Sequence, residues 1–282
     1  MKTILVPYDF SPYAEAALDF AVQIRKKTKG EIKLVNVIEY PLGSTFNVTG
    51  EIASYDPMDK VFTMKLIEHA KEKLANTIAK FEGEKEHITP IVLMGYPFDG
   101  ITDQINETHT DLIVMGTKGA TGLKEMFVGS NAEKIVRNAK CPVITIHQKR
   151  NISEINDIIY ATELVVKNED KMRVFKTYQE FFDAKIHLVW INTPHNTLND
   201  DLAEQQLEKL AKSNQLNNYD VKVIRGFYPE EGILTYAVQI DANMIAMNTN
   251  SHKGLMHLFL GSVAEDVVNH SSVPVWTLTT ND

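Results

Sequence analysis

The sequence predicts an α/β protein made of two tandem copies of one unit, each a doubly wound parallel sheet of five strands. Three observations carry this. Short apolar runs alternate with segments of helical period, the pattern of strands buried on both faces by crossover helices. Residues 247–278 align without a gap to residues 115–146, sharing Gly122/Gly254, Phe127/Phe259, Gly129/Gly261, Ser130/Ser262, Ala132/Ala264, Glu133/Glu265 and Pro142-Val143/Pro274-Val275. Between the copies, residues 148–157 are polar and aperiodic, which places a domain boundary there and divides the chain into 1–149 and 150–282.

The first copy opens with an apolar strand over 2–8 that ends at Asp9. Ser11-Pro12 then supplies an N-cap and a proline at the first helical position. Ala14, Ala17, Leu18, Ala21 and Ile24 share one face of that helix, and Lys29-Gly30 ends it. A second strand covers 31–38. Residues 40–60 have no period and carry Pro41, Gly43, Gly50 and Pro57, so they read as a long loop: a lid, a binding loop, an interface arm or a poorly ordered insertion. An amphipathic helix follows over 61–81, then a strand over 89–94 closed by Gly95-Tyr96-Pro97, a helix over 98–108, a strand over 111–115, a helix over 129–138 and a strand over 142–146.

In the second copy residues 158–163 parallel 4–9, residues 186–191 parallel 32–37, and Gly226-Phe227-Tyr228-Pro229 resembles Gly95-Tyr96-Pro97. Most of the 40–60 insertion is missing: the second strand leads through Pro194 to a helix near Leu202.

Composition narrows the function. The chain has 282 residues, 44% of them apolar, enough for a full core, and its net charge of −8 argues against a broad nucleic-acid-binding face. The single cysteine, Cys141, rules out an internal disulfide. No signal peptide and no apolar run of membrane-spanning length is present, so the expectation is a cytoplasmic protein without a membrane partner, in which sequons such as Asn47-Val48-Thr49 are chance.

One stretch suggests chemistry. The apolar run Leu112-Ile113-Val114-Met115 enters a loop with Gly116 and Gly119, and the loop enters a helix at Gly129-Ser130. A strand, a glycine-rich loop and a helix N-terminus together suit an anion such as a phosphate, because unpaired N–H donors and the positive end of the helix meet there. The spacing is neither a P-loop nor the dinucleotide fingerprint.

With those residues in view, both halves resemble universal stress protein domains. The resemblance rests on Ile4-Leu5-Val6-Pro7-Tyr8-Asp9-Phe10-Ser11 and on the Gly116/Gly119/Gly129-Ser130 pattern closing on Pro142-Val143-Ile144, and it spans nearly the whole chain. It implies an adenine-nucleotide α-hydrolase-like fold, strand order 3-2-1-4-5, with ATP, alone or with Mg²⁺, across the carboxyl ends of strands 1 and 4. Carried over by position, Pro7, Tyr8, Asp9 and Val37 would surround the adenine, Asp9 accepting from the exocyclic amine. Met115 and Gly116 would lie near the ribose, and Gly119, Gly129, Ser130 and Asn131 would hold the phosphates. The implied role is a nucleotide-dependent regulator or sensor in a stress response, acting on a protein partner the sequence does not name. The family's habit of pairing fifth-strand edges implies that residues 143–146 lie beside 275–278 within the chain; a further homodimer is left open. In the second half Glu163 stands for Asp9, Asn248 for Gly116 and Ser251 for Gly119, which predicts weak or absent ATP binding there, with a small anion or another ligand still open at Gly261-Ser262.

Blander readings stand beside these. Ser130-Asn131-Ala132-Glu133 and Ser262-Val263-Ala264-Glu265 both read as capping boxes. Asp9 could serve only the turn before Ser11. Gly122 and Gly254 suit loop geometry, and Lys118 and Lys124 could meet phosphates or be solvated. His252 and His257 lack a third ligand for zinc, and Cys141 reads as a small buried residue. No catalytic residue and no metal ligand set emerges. An enzymatic alternative is therefore at most a slow ATPase or a nucleotidyl transferase, and neither a Ser-Gly-Gly-x-Asp-Ser loop nor a His-x-Gly-His motif occurs. A further alternative is an interaction protein with vestigial pockets. A receiver domain is disfavoured because Asp9 lacks an acidic neighbour for Mg²⁺.

Overall fold

The structure, a computed structural model, describes residues 1–39, 57–119, 129–164, 169–196, 198–250 and 260–280. The first half runs β1 (Thr3–Pro7), α1 (Pro12–Thr28), β2 (Glu31–Ile38), α2 (Pro57–Ala79), β3 (Ile88–Met94), α3 (Pro97–Glu107), β4 (Leu112–Gly116), α4 (Ser130–Asn138) and β5 (Val143–Ile146). The second runs β6 (Asp157–Ala161), α5 (Glu169–Phe182), β7 (Lys185–Asn192), α6 (Asp200–Ser213), β8 (Tyr219–Arg225), α7 (Pro229–Gln239), β9 (Met244–Asn250), α8 (Leu260–His270) and β10 (Val275–Thr280).

Local chemistry sets the boundaries that matter for the site. Ser11 caps α1, its Oγ accepting from the Ala14 N–H at 3.1 Å, with Pro12 at the first helical position. At the other end Lys29, in the left-handed conformation at φ 60°, donates its N–H to the Arg25 carbonyl. α2 begins at Pro57, four residues earlier than the periodicity indicates, and the rest of the 40–60 insertion lies outside the described residues.

The strands form one sheet in the order β3-β2-β1-β4-β5-β10-β9-β6-β7-β8. Each half is thus parallel with order 3-2-1-4-5. The halves join where β5 and β10 pair antiparallel, with Val275 opposite Thr145, Trp276 opposite Ile144 and Thr277 opposite Val143. That joint uses two edges that would otherwise present unpaired N–H and C=O groups.

Residues of alternating parity face opposite sides of the sheet. Ile4, Val6 and Tyr8 enter one core, which continues through the second half to Tyr160, Phe175 and Trp276. Leu5, Ile113 and Met115 enter the other, with Ile135, Ile159 and Val275. Trp276 is fully buried at the joint, edge-on to Phe175 and Tyr178 with ring centroids 5.2 and 5.4 Å away. Both cores cross from one half to the other, so apolar burial as well as strand pairing holds the halves together. Among the described residues no helix is long and apolar enough to cross a membrane.

Candidate functional site

In an open α/β sheet the helices leave β1 and β4 toward opposite faces, and the carboxyl ends of those strands diverge into a crevice. In the first half that crevice is a cavity of about 430 Å³, inside the range of about 300–1,000 Å³ usual for small-molecule and cofactor sites. All ten residues singled out in the sequence line it: Pro7, Tyr8 and Asp9 after β1, Val37 on β2, Met115 and Gly116 on β4, Gly119 in the following loop, and Gly129, Ser130 and Asn131 where α4 begins.

Asp9 holds two positions at once. Its Oδ1 accepts from the Ser11 N–H at 3.0 Å, which is the turn role the sequence allows. Its Oδ2 lies where a Cβ on Gly119 would come within 3.1 Å, so the carboxylate and the glycine loop face each other. Tyr8 is nearly all buried, its ring edge-on to Phe10 at 5.3 Å in the core under α1 and α2, and burial raises its phenol pKa. The Asn36 amide donates to the Tyr8 carbonyl at 2.8 Å and holds this backbone in place.

The glycines have different reasons. A Cβ on Gly116 would meet the Tyr13 backbone carbon and Cβ at 2.7 Å and the Ala14 nitrogen at 3.0 Å. Gly116 is therefore demanded by the first turn of α1 packing over β4, whatever the cavity holds. Gly129, with φ −62° and ψ 141°, sits in a conformation open to any residue, and a Cβ there would make only ordinary contacts of 3.6 Å or more. Gly122, Gly254, Ser251, Lys124, His252 and His257 lie outside the described residues.

The capping-box reading is corrected in both halves. The N-cap of α4 is Gly129, one residue before Ser130, and no side chain caps it. α8 starts at Leu260, which puts Ser262 inside the helix rather than before it. Gly129 has no side chain to offer the first N–H groups of α4, and Gly129, Ser130, Asn131 and Ala132 line the cavity. Cys141 is buried, and burial pushes its thiol up to about 12, consistent with a packing residue.

The cavity also has residues that the sequence reading did not single out. Asn36 left a signal, a polar residue interrupting the apolar run Leu34-Val35-Asn36-Val37. Thr117 left none. It is fully buried, its carbonyl accepts from the Gly129 N–H at 2.7 Å and closes the neck of the loop, and its Oγ1 lies 2.9 Å from His147 Nδ1. His147 Nε2 in turn lies 2.9 Å from the Val268 carbonyl of α8.

The second half has a cavity of about 460 Å³ at the matching place, with different walls. Val189 stands opposite Ala161 as Val35 stands opposite Pro7, so Trp190 takes the place of Asn36 in the second half. Glu163, Asn248 and Val263 replace Asp9, Gly116 and Asn131. The Asn248 amide donates to the buried Tyr160 hydroxyl at 2.6 Å.

A doubly wound parallel sheet with a cavity at its switch point, present twice, defines the class: an adenine-nucleotide α-hydrolase-like fold. The comparisons agree. The crystal structure of a universal stress protein from Archaeoglobus fulgidus superposes with a TM-score of 0.73 at 21% identity, covering 98% of each chain. Universal stress protein Slr1230 of Synechocystis is 24% identical over 98% of this chain and 99% of its own. Universal stress protein MJ0577 of Methanocaldococcus jannaschii is 29% identical over 157 residues, 53% of this chain and 97% of its own. The model of the universal stress protein family matches residues 1–147 and again 160–278. The chain belongs to the universal stress protein family, as a tandem member.

Proposed function

We propose that the first half, residues 1–149, binds ATP, and that the chain acts as a nucleotide-dependent regulator or sensor in a stress response, the second half, residues 150–282, being a degenerate copy. The observation that carries this reading is the meeting, in one cavity at the switch point, of an acceptor carboxylate, a glycine whose missing Cβ leaves room beside it, and a helix N-terminus without a side-chain cap. That donor and acceptor set fits an adenine nucleotide. Asp9 suits the exocyclic amine beside Pro7, the Tyr8 backbone and Val37; Met115 and Gly116 suit the ribose; Gly119, Gly129, Ser130 and Asn131 suit the phosphates, with Lys118 as a nearby positive charge. Mg²⁺ would enter with the phosphates. Bound ATP would supply an occupancy signal, which the surrounding loop would present to a protein partner. The stress role and a cytoplasmic location are part of this proposal and rest on family membership.

Mass spectrometry of the denatured purified protein, with calorimetry against ATP, tests it. One ATP per chain, with binding weakened about ten-fold or more in Gly119→Val and kept in Glu163→Gln, is the expected result. No co-purified nucleotide and no heat of binding would remove it.

A further inference from the structure

In each half a threonine stands at the carboxyl end of the fourth strand, Thr117 just after β4 and Thr249 next to last in β9, and each reaches the other half through one residue. In the first half the path runs from Thr117 Oγ1 to His147 Nδ1, and from His147 Nε2 to the Val268 carbonyl on α8, each step 2.9 Å. In the second half Thr249 Oγ1 lies 2.5 Å from Thr279 Oγ1, which donates to the Val136 carbonyl on α4 at 2.8 Å. These residues correspond one to one in the two copies. Both carbonyls belong to the last turn of a helix, where no further helical N–H follows to donate to them.

The carbonyl fixes the direction of the path. Val268 can only accept, so His147 carries its proton on Nε2, and Nδ1 accepts from the Thr117 hydroxyl. Burial depresses the His147 pKa, in keeping with the neutral ring this requires. Thr117 is thereby held from two sides: its side chain by His147, and its carbonyl by the Gly129 N–H at the start of α4. His147 is not part of the cavity wall, whereas Thr117 and Gly129 are.

We infer that His147 is a positioning residue of the first-half site, through which the second half holds the neck of the ligand loop. The inference deepens the ATP reading and rests on it for the ligand, although the loop-holding role itself does not require one. By reciprocity, a ligand that tightens the neck strengthens the hold of the halves on each other.

A carboxamide supplies the test, because like the neutral imidazole it carries one acceptor and one donor on a single planar group. His147→Gln keeps an oxygen able to accept from Thr117 and an N–H able to donate to Val268; His147→Leu fills the space with neither. Two readouts are taken on the full chain: amide exchange of Gly129, and ATP affinity by calorimetry. The expected result is faster Gly129 exchange and about five- to ten-fold weaker ATP binding in His147→Leu, the factor one buried hydrogen bond carries, with both restored in His147→Gln. Wild-type values in His147→Leu, or a His147→Gln as impaired as His147→Leu, would overturn the inference. A wild type that binds no ATP, with Gly129 exchange still responding as described, upholds the role of His147 and sinks only the nucleotide reading.

Discussion

The two halves share strand order and register and carry cavities of about 430 and 460 Å³ at the same place, yet they differ in how the first helix meets the sheet. In the first, α1 begins five residues after β1, from Pro7 to Pro12, and its Tyr13–Ala14 backbone lies so close to β4 that only glycine fits at 116. In the second, α5 begins eight residues after β6, from Ala161 to Glu169, and Asn248 is accommodated, bonded to Tyr160. The difference teaches that a substitution at a glycine, read in sequence as loss of ligand contact, reports first on helix packing. The cavity walls themselves differ at Asp9/Glu163, where one carboxylate replaces another a methylene longer, and at Asn36/Trp190 and Asn131/Val263, where apolar side chains replace amides.

Exchanging the residues that distinguish the halves should break this symmetry in a graded way. The largest effect is expected from Gly116→Asn, whose side chain meets backbone rather than a movable neighbour. Denaturant unfolding should show a loss of about 3 kcal/mol, the upper end of overpacking costs, against about 1 kcal/mol for the reverse change Asn248→Gly, which removes one hydrogen bond. Equal losses would mean that packing does not demand the glycine. Next, Gly119→Val and Asp9→Asn should each weaken ATP binding about ten-fold or more, roughly 1.4 kcal/mol. For Gly119→Val the stability loss should be smaller than for Gly116→Asn, since among the described residues its Cβ would meet Asp9 Oδ2, the end of a side chain, rather than backbone; calorimetry and unfolding on the same samples separate the two.

A smaller effect is expected at the joint. Arg137 pairs with Glu133 at 3.1 Å and with Glu265 of the other half at 2.6 Å, while Asn269 occupies the matching place in α8, so one guanidinium serves both acids. Burial, and then Glu133, raise the Glu265 pKa. Arg137→Ala should cost about 0.2–1 kcal/mol near neutral pH, as for a largely exposed pair. A carboxylate raised in the folded state favours the protonated form, so that deficit should shrink as pH falls from about 7 toward about 4.5. A deficit that stays constant would mean the two acids do not repel.

The smallest effect is the pH slope from His147. Its folded pKa lies below the unfolded value, so the neutral ring contributes fully above about 6.5, and the contribution is lost as pH falls through that value toward the folded pKa. Unfolding midpoints of wild type and His147→Gln, compared from about pH 8 to about 5.5, should shift relative to each other on that limb, the wild type losing stability and the variant not. Parallel curves would show that His147 does not titrate differently on folding.

Much of this protein could be read from residue order. Apolar runs bounded by Ser11-Pro12, Lys29-Gly30 and Gly95-Tyr96-Pro97 place strands and helices, because caps and breakers act within a few residues. The repeat of 115–146 in 247–278 and the Asp9, Gly119 and Gly129-Ser130 positions mark the candidate site, because a strand end, a glycine loop and a helix start are local signals. Other features depend on pieces far apart in the chain. The true N-cap of α4 is Gly129 rather than Ser130, a one-residue shift set by where the helix docks, since local pattern places a helix start only to within a residue or two. The reason for Gly116 is the nearness of Tyr13, about a hundred positions away, and that of His147 is the Val268 carbonyl of the other half. Contacts of that separation are created by strand pairing and core packing, which leave no periodic trace in the residues that make them.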